Sequence, residues 1–175
     1  KSGNTYIRSF LAAYYFSDKG KFQFDDLLKM EQFPNLKYSK FKTESMEETS
    51  KNWIYNQRSF FDREKLNFVK THNTLVEYKG NKFTTKNETL AAIYIVRDPR
   101  NLITSFSHHY TMSIEETYKD IINKNNMLTE KKWGMDGFGV ATVLGSWSDH
   151  YKSWQTLNFA PKIVIKYEDL IKDTK

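Results

Sequence analysis

Cysteine is absent from this 175-residue chain, which excludes disulfide staples, zinc–thiolate sites and thiol nucleophiles at once. The same absence is compatible with a reducing compartment. Only three prolines and seven glycines occur, and they are scattered. No Pro/Gly-rich linker therefore divides the chain, and a single domain over residues 1–175 is expected. No apolar run approaches the roughly 18 residues of a membrane span. The opening Lys1-Ser2-Gly3 carries none of the apolar stretch of a secretory leader. Aromatic mass and positive charge are what the chain does have. Hydrophobic residues make up 39% and aromatics 16%, enough for a core and too much for a wholly disordered chain. Lys and Arg number 27 against 21 Asp and Glu, a net charge of +6. That balance favours anionic partners: phosphates, sulfates, nucleic acid or an acidic membrane face.

Periodicity places the elements. Ile7, Phe10, Leu11 and Tyr14 recur at i, i+3, i+4 and i+7, one face of a helix. Residues 17–50 are polar with short apolar groups, which suggests short helices and loops, and a further helix is expected over 53–61. Leu66–Val69 and Leu90–Val96 read as buried strands, and Lys162–Lys166 as a third. Asp98 followed by Pro99 is a helix start, and Ser113 with Glu116 has the spacing of a capping box. Residues 124–139 are polar and Gly-containing, the pattern of a mobile segment, and helical spacing returns over 140–154. Strands alternating with helices predict an α/β fold with a parallel sheet, whose ligands bind at the carboxyl ends of the strands.

Three segments carry polar residues at such positions. Lys1-Ser2-Gly3-Asn4-Thr5 is a small loop opening a helix, with backbone N–H groups, a lysine and hydroxyls that suit a phosphate. The lysine precedes the glycine, so the nucleotide-triphosphatase loop is not matched, and a plain capped helix is the simpler reading. Arg97 ends a strand and Ser105 lies two turns into the next helix, so the two can converge on one anion. A lone strand-end arginine is otherwise a surface or ion-pair residue. Lys70-Thr71-His72 follows the first strand. Its histidine titrates near neutrality and can accept a proton from a hydroxyl, with the lysine stabilising a developing anion. An isolated histidine is otherwise a solvated or core residue, and His108, His109 and His150 receive no role. A P-loop kinase or ATPase needs a lysine after the glycine and a strand-end Asp, where Arg97 stands instead. A basic nucleic-acid-binding module is the other rival, but the aromatics follow core periodicity.

These segments, in this order, resemble the sulfotransferases that use 3′-phosphoadenosine 5′-phosphosulfate (PAPS). Lys1-Ser2-Gly3-Asn4-Thr5 is similar to the end of that family's 5′-phosphosulfate loop, and Lys70-Thr71-His72 to its Lys-Thr-His element. Ile93 through Ser105 resembles its 3′-phosphate motif. Gly145-Ser146-Trp147, Lys152-Ser153-Trp154 and Tyr167-Glu168-Asp169-Leu170 resemble a later stretch. The resemblance spans nearly the whole chain, with Tyr6 at a position the family fills with Trp and Asn4 where it has Thr. It implies a three-layer α/β/α fold of the P-loop nucleotide-kinase type with a central parallel sheet. It also implies that residues 1–175 are a fragment of one sulfotransferase domain, lacking the strand before Lys1 and a C-terminal cofactor loop.

The activity implied is in-line transfer of a sulfuryl group from PAPS to a hydroxyl or amine acceptor, with no metal. His72 would be the general base, Lys1 would meet the leaving 5′-phosphate oxygen and Lys70 the sulfuryl oxygens. PAPS would be held by Lys1, Ser2, Gly3, Asn4, Thr5, Tyr6, Arg97, Ser105 and Tyr167. The implied partner is a small-molecule or glycan acceptor, with no nucleic acid, and the implied location is cytoplasmic. The acceptor is not spelled by the loops at 17–50 and 111–139.

Overall fold

The computed structural model describes residues 3–39, 44–61, 64–130 and 139–172. Helix α1 (Asn4–Phe16) forms where the apolar spacing predicts it, and buries Ala12. After a 3-10 turn, a two-residue strand β1 (Glu31–Gln32) and helices α2 (Met46–Lys51) and α3 (Trp53–Phe60) follow. Strand β2 (Val69–Lys70) precedes a small hairpin, β3 (Glu77–Tyr78) and β4 (Asn81–Lys82). Next come β5 (Ala92–Val96), α4 (Pro99–Tyr110) and α5 (Ile114–Ile122). The chain continues through β6 (Met127–Glu130), β7 (Val140–Val143), α6 (Trp147–Gln155), β8 (Lys162–Lys166) and α7 (Tyr167–Lys172).

Both predicted helix starts are present. The Asp98 carboxylate accepts from the Arg100 N–H, with Pro99 in the first helical position. Ser113 and Glu116 make both bonds of the capping box at α5.

The architecture is a mixed α/β one with small sheets. Strand β1 pairs parallel with β2, and β5 parallel with β8, while β3–β4 and β6–β7 are antiparallel. Three expectations need correction. The run at 66–70 contributes only two strand residues, and Val69 is exposed. Strands β5 and β8 contain no fully buried residue, and Ile93 and Ile163 are exposed. Among the described residues, each strand of the two parallel pairs has one strand partner.

The third correction concerns 124–154. Residues 127–130 and 140–143 form an antiparallel pair rather than a mobile segment and a helix, and residues 131–138 lie outside the described ones. The β-branched run Val140-Ala141-Thr142-Val143 prefers a pleated, half-buried surface. Helix α6 begins only after Gly145, where Ser146 caps it by accepting from the Asp149 N–H.

The core lies beside β7. Phe33, Tyr38, Met46, Trp53, Phe83, Ala141, Trp154 and Leu157 form one buried cluster, with Tyr94 packed against it. Trp53 stands edge-on to Phe83 at 5.4 Å. This cluster anchors α6 and the loop after β2, and so fixes the positions of the residues described next.

Candidate active site

The register of β5 and β8 decides which residues meet. Val96 is opposite Lys166 in a parallel pair, so Arg97 and Tyr167 leave the sheet side by side at its carboxyl edge. The Arg97 guanidinium lies over the Tyr167 ring, 4.5 Å from its centroid, a cation–π contact. Glu168, the next residue, accepts from the Asp98 N–H at 3.1 Å and holds the two chain exits together. Ser105, two turns into α4, lines the same cleft as Arg97 and Tyr167.

Gly3 packs against the same tyrosine. Its φ is +82°, left-handed, and a Cβ built there would lie 2.7 Å from Cδ2 of Tyr167. Only glycine fits both the conformation and the space. Helix α1 starts immediately after it with no side-chain cap and no acidic residue in the first turn. Among the described residues no side chain caps its leading N–H groups, and its positive dipole end suits an anion. The buried Oδ1 of Asn4 has no partner among the described residues. Thr5 and Tyr6 are exposed on the cleft wall, Tyr6 edge-on to Phe10 at 5.0 Å. Lys1 and Ser2 lie outside the described residues.

The second parallel pair brings Lys70 and His72 to the cleft. Gln32 is in register with Lys70, and Lys70 Nζ donates to its amide oxygen at 2.9 Å. Burial, then the charge of Arg8, lowers the pKa of Lys70. Arg8 on α1 donates to the carbonyls of Leu27 and Met30 at 2.6 and 2.9 Å, which keeps its charge close by. His72 is an exposed residue on the cleft wall. The protein mass around it, then the charge of Lys70, draws its pKa down to about 4. At pH 7 it is therefore a neutral imidazole, able to accept a proton.

Gly3, Asn4, Thr5, Tyr6, Lys70, His72, Arg97, Ser105 and Tyr167 all line one cleft of about 1680 Å³. Residues from four separate stretches of sequence thus converge at the carboxyl ends of both parallel pairs. Lys70, Arg97, Ser105 and the start of α1 bring cations and donors to this otherwise largely apolar cleft, which suits an anionic ligand with more than one charged group. Two members of this region were given no role from sequence. Tyr94 and His150 also line the cleft, and they touch each other across 56 residues of chain. No local spacing could have paired them.

The whole chain, residues 1–175, matches the family described as Sulfotransferase domain. The chain belongs to the sulfotransferase family. The protein is a PAPS-dependent sulfotransferase, and the kinase and nucleic-acid readings give way to that finding. A search of curated proteins returns no match. No helix of this sulfotransferase is long and apolar enough to cross a membrane among its described residues.

Proposed function

We propose that this sulfotransferase moves the sulfuryl group of PAPS in line onto a hydroxyl or amine of a small-molecule or glycan acceptor, with His72 as general base. One observation carries the reading: a neutral histidine, a lysine, an arginine on a tyrosine platform and an uncapped helix start share one cleft. The donor set fits PAPS. The uncapped start of α1 suits its 5′-phosphosulfate, with Asn4 and Thr5 in the first turn and Lys1 and Ser2 preceding them in the sequence. Arg97 and Ser105 would hold the 3′-phosphate, and Tyr6 and Tyr167 the adenosine side. PAPS supplies an activated sulfuryl group on a phosphate leaving group.

The chain's own residues do the rest. His72 takes the acceptor's proton at its ring nitrogen, raising the nucleophilicity of the oxygen or nitrogen. Lys70 and Lys1 would supply positive charge where negative charge grows. Arg8 adds to that field. In the absence of an anion, Arg8 and Lys70 repel each other and both disfavour a charged His72.

The two parallel pairs are read as outer parts of a single central parallel sheet, layered by helices in the P-loop manner. Residues 66–70 and 90–97 line the same cleft. The cleft exceeds the roughly 300–1,000 Å³ of a small-molecule pocket. The cytoplasmic setting belongs to the same reading.

The test is transfer of ³⁵S from labelled PAPS across a panel of phenols, alcohols, amines and carbohydrates, beside thermal shifts with three ligands. Adenosine 3′,5′-bisphosphate should raise the melting temperature by mass action. ATP with magnesium and single-stranded oligonucleotide should not. Stabilisation by ATP–magnesium alone, with no labelled product from any acceptor, would overturn the proposal.

A further inference from the structure

We infer that His150 and Tyr94 form a latch that holds the backbone of His72 in place, making both positioning residues for the reaction proposed above. The inference rests on that reading for its catalytic consequence. Its geometry stands independently.

The latch is a two-bond chain. Nδ1 of His150 lies 3.0 Å from the Tyr94 hydroxyl, and Nε2 lies 3.1 Å from the carbonyl oxygen of His72. A carbonyl only accepts, so Nε2 carries the hydrogen. A neutral ring then has Nδ1 free to accept, and the Tyr94 hydroxyl is its donor. Burial lowers the pKa of His150, in keeping with that neutral tautomer. Burial, and the neighbouring Tyr151, raise the pKa of Tyr94 and keep its proton in place. The two rings stack at 5.8 Å, and Tyr94 stacks again on Trp154 at 6.2 Å.

Helix α6 grips the same loop at two further points. Nε1 of Trp154 donates to the Asn73 carbonyl at 3.0 Å, and the Ser153 hydroxyl accepts from the Leu75 N–H at 3.1 Å. His150, Ser153 and Trp154 thus face the loop as one edge of α6. The His150 bond is the one that reaches His72 itself, and it ties that residue to strand β5 through Tyr94. A general base must sit within hydrogen-bond reach of the acceptor proton. A loop released on the strand side lets the imidazole wander from that position while the donor-binding groups stay where they are.

His150→Phe keeps the stacking and removes both bonds. Its kcat should fall about 10- to 100-fold, the scale of a catalytic group misplaced by an ångström, measured with ³⁵S-PAPS and the best acceptor of the panel. KM for PAPS and affinity for adenosine 3′,5′-bisphosphate should stay within a few-fold. His150→Gln, whose Nε2 can again donate to the His72 carbonyl, should recover most of the loss. Tyr94→Phe should give a smaller fall, and added to His150→Phe should cost nothing more. In the protein without ligand, the carbonyl-carbon resonance of His72 should move in His150→Phe and return in His150→Gln.

An unchanged kcat in His150→Phe, or a His150→Gln no better than it, would overturn the latch. So would additive losses in the double variant. If His150→Phe does not fold, Tyr94→Phe with normal kcat and an unmoved His72 carbonyl resonance overturns it instead. A wild-type protein that transfers no label to any acceptor strikes the sulfuryl-transfer reading, whereas the resonance shifts test the latch alone.

Discussion

Gly3 and Tyr167 are in contact although 164 positions separate them: a Cβ on Gly3 would sit 2.7 Å from the Tyr167 ring. The same ring carries Arg97, whose guanidinium lies 4.5 Å from its centroid. One tyrosine therefore sets the spacing between the start of α1 and the arginine at the end of β5. Gly3→Ala should lose about 1–2 kcal/mol to the left-handed backbone alone. It should also displace the ring and weaken adenosine 3′,5′-bisphosphate binding. Titration calorimetry on Gly3→Ala, Tyr167→Ala and the double variant checks this. The double variant should bind better than the sum of the two losses implies, because the clash is gone.

Of the donor's groups, Arg97 should act on the 3′-phosphate. Arg97→Ala is expected to weaken adenosine 3′,5′-bisphosphate by roughly 1.5–3 kcal/mol, the scale of a hydrogen bond to a charged group. Adenosine 5′-phosphosulfate, which lacks that phosphate, should lose much less. Equal losses for both ligands would assign Arg97 to the scaffold or to another contact.

Much of the site was legible because its pieces are local. Asp98-Pro99 and Ser113 with Glu116 declare their helices within four residues, and Lys70-Thr71-His72 sits directly behind a strand. Arg97 and Ser105 needed only one strand–helix junction to be read together. What was not legible depends on distant pairings. Residues 127–130 become a strand because 140–143 lie beside them, and helical spacing through 140–154 concealed the break at Gly145. Ile93 is exposed on β5, whose one strand neighbour among the described residues is β8, and composition cannot express that pairing. His150 was set aside as an isolated histidine, and its partners are 56 and 78 residues away.

Asn73 offers a test of stability independent of the chemistry. It is fully buried. Its Oδ1 accepts from the Val143 N–H at 2.7 Å and its Nδ2 donates to the Thr74 carbonyl at 2.7 Å. Asn73→Ala strands both backbone groups, and a buried unsatisfied group costs about 1–3 kcal/mol. Urea unfolding should show a loss of that order with an unchanged slope. A loss under ~0.5 kcal/mol, the range of ordinary surface substitutions, would mean that water replaces the amide.

The last prediction concerns His72 and acid. Its pKa lies at about 4 when the protein is free, below the ~6.5 of an unperturbed histidine. The folded state therefore binds fewer protons than the unfolded one as pH falls below 6.5. Stability contributed by the neutral ring is full above that value and lost on the way down through about 4. Activity has the same sign, since a protonated imidazole cannot accept the acceptor's proton. Measured as kcat/KM for PAPS, which reports the free enzyme, the rate should hold level from pH 7 to about 5 and sink below. Negative charge beside the ring in the donor complex favours the imidazolium, so the acid limb of kcat should lie at higher pH. His72→Asn keeps some hydrogen bonding and removes the basicity. Turnover should drop about 10²-fold or more, with the acid limb gone and donor affinity within a few-fold. Near-normal turnover with the limb still in place would sink the base assignment. Joint loss of donor binding and folding would make His72 a structural residue.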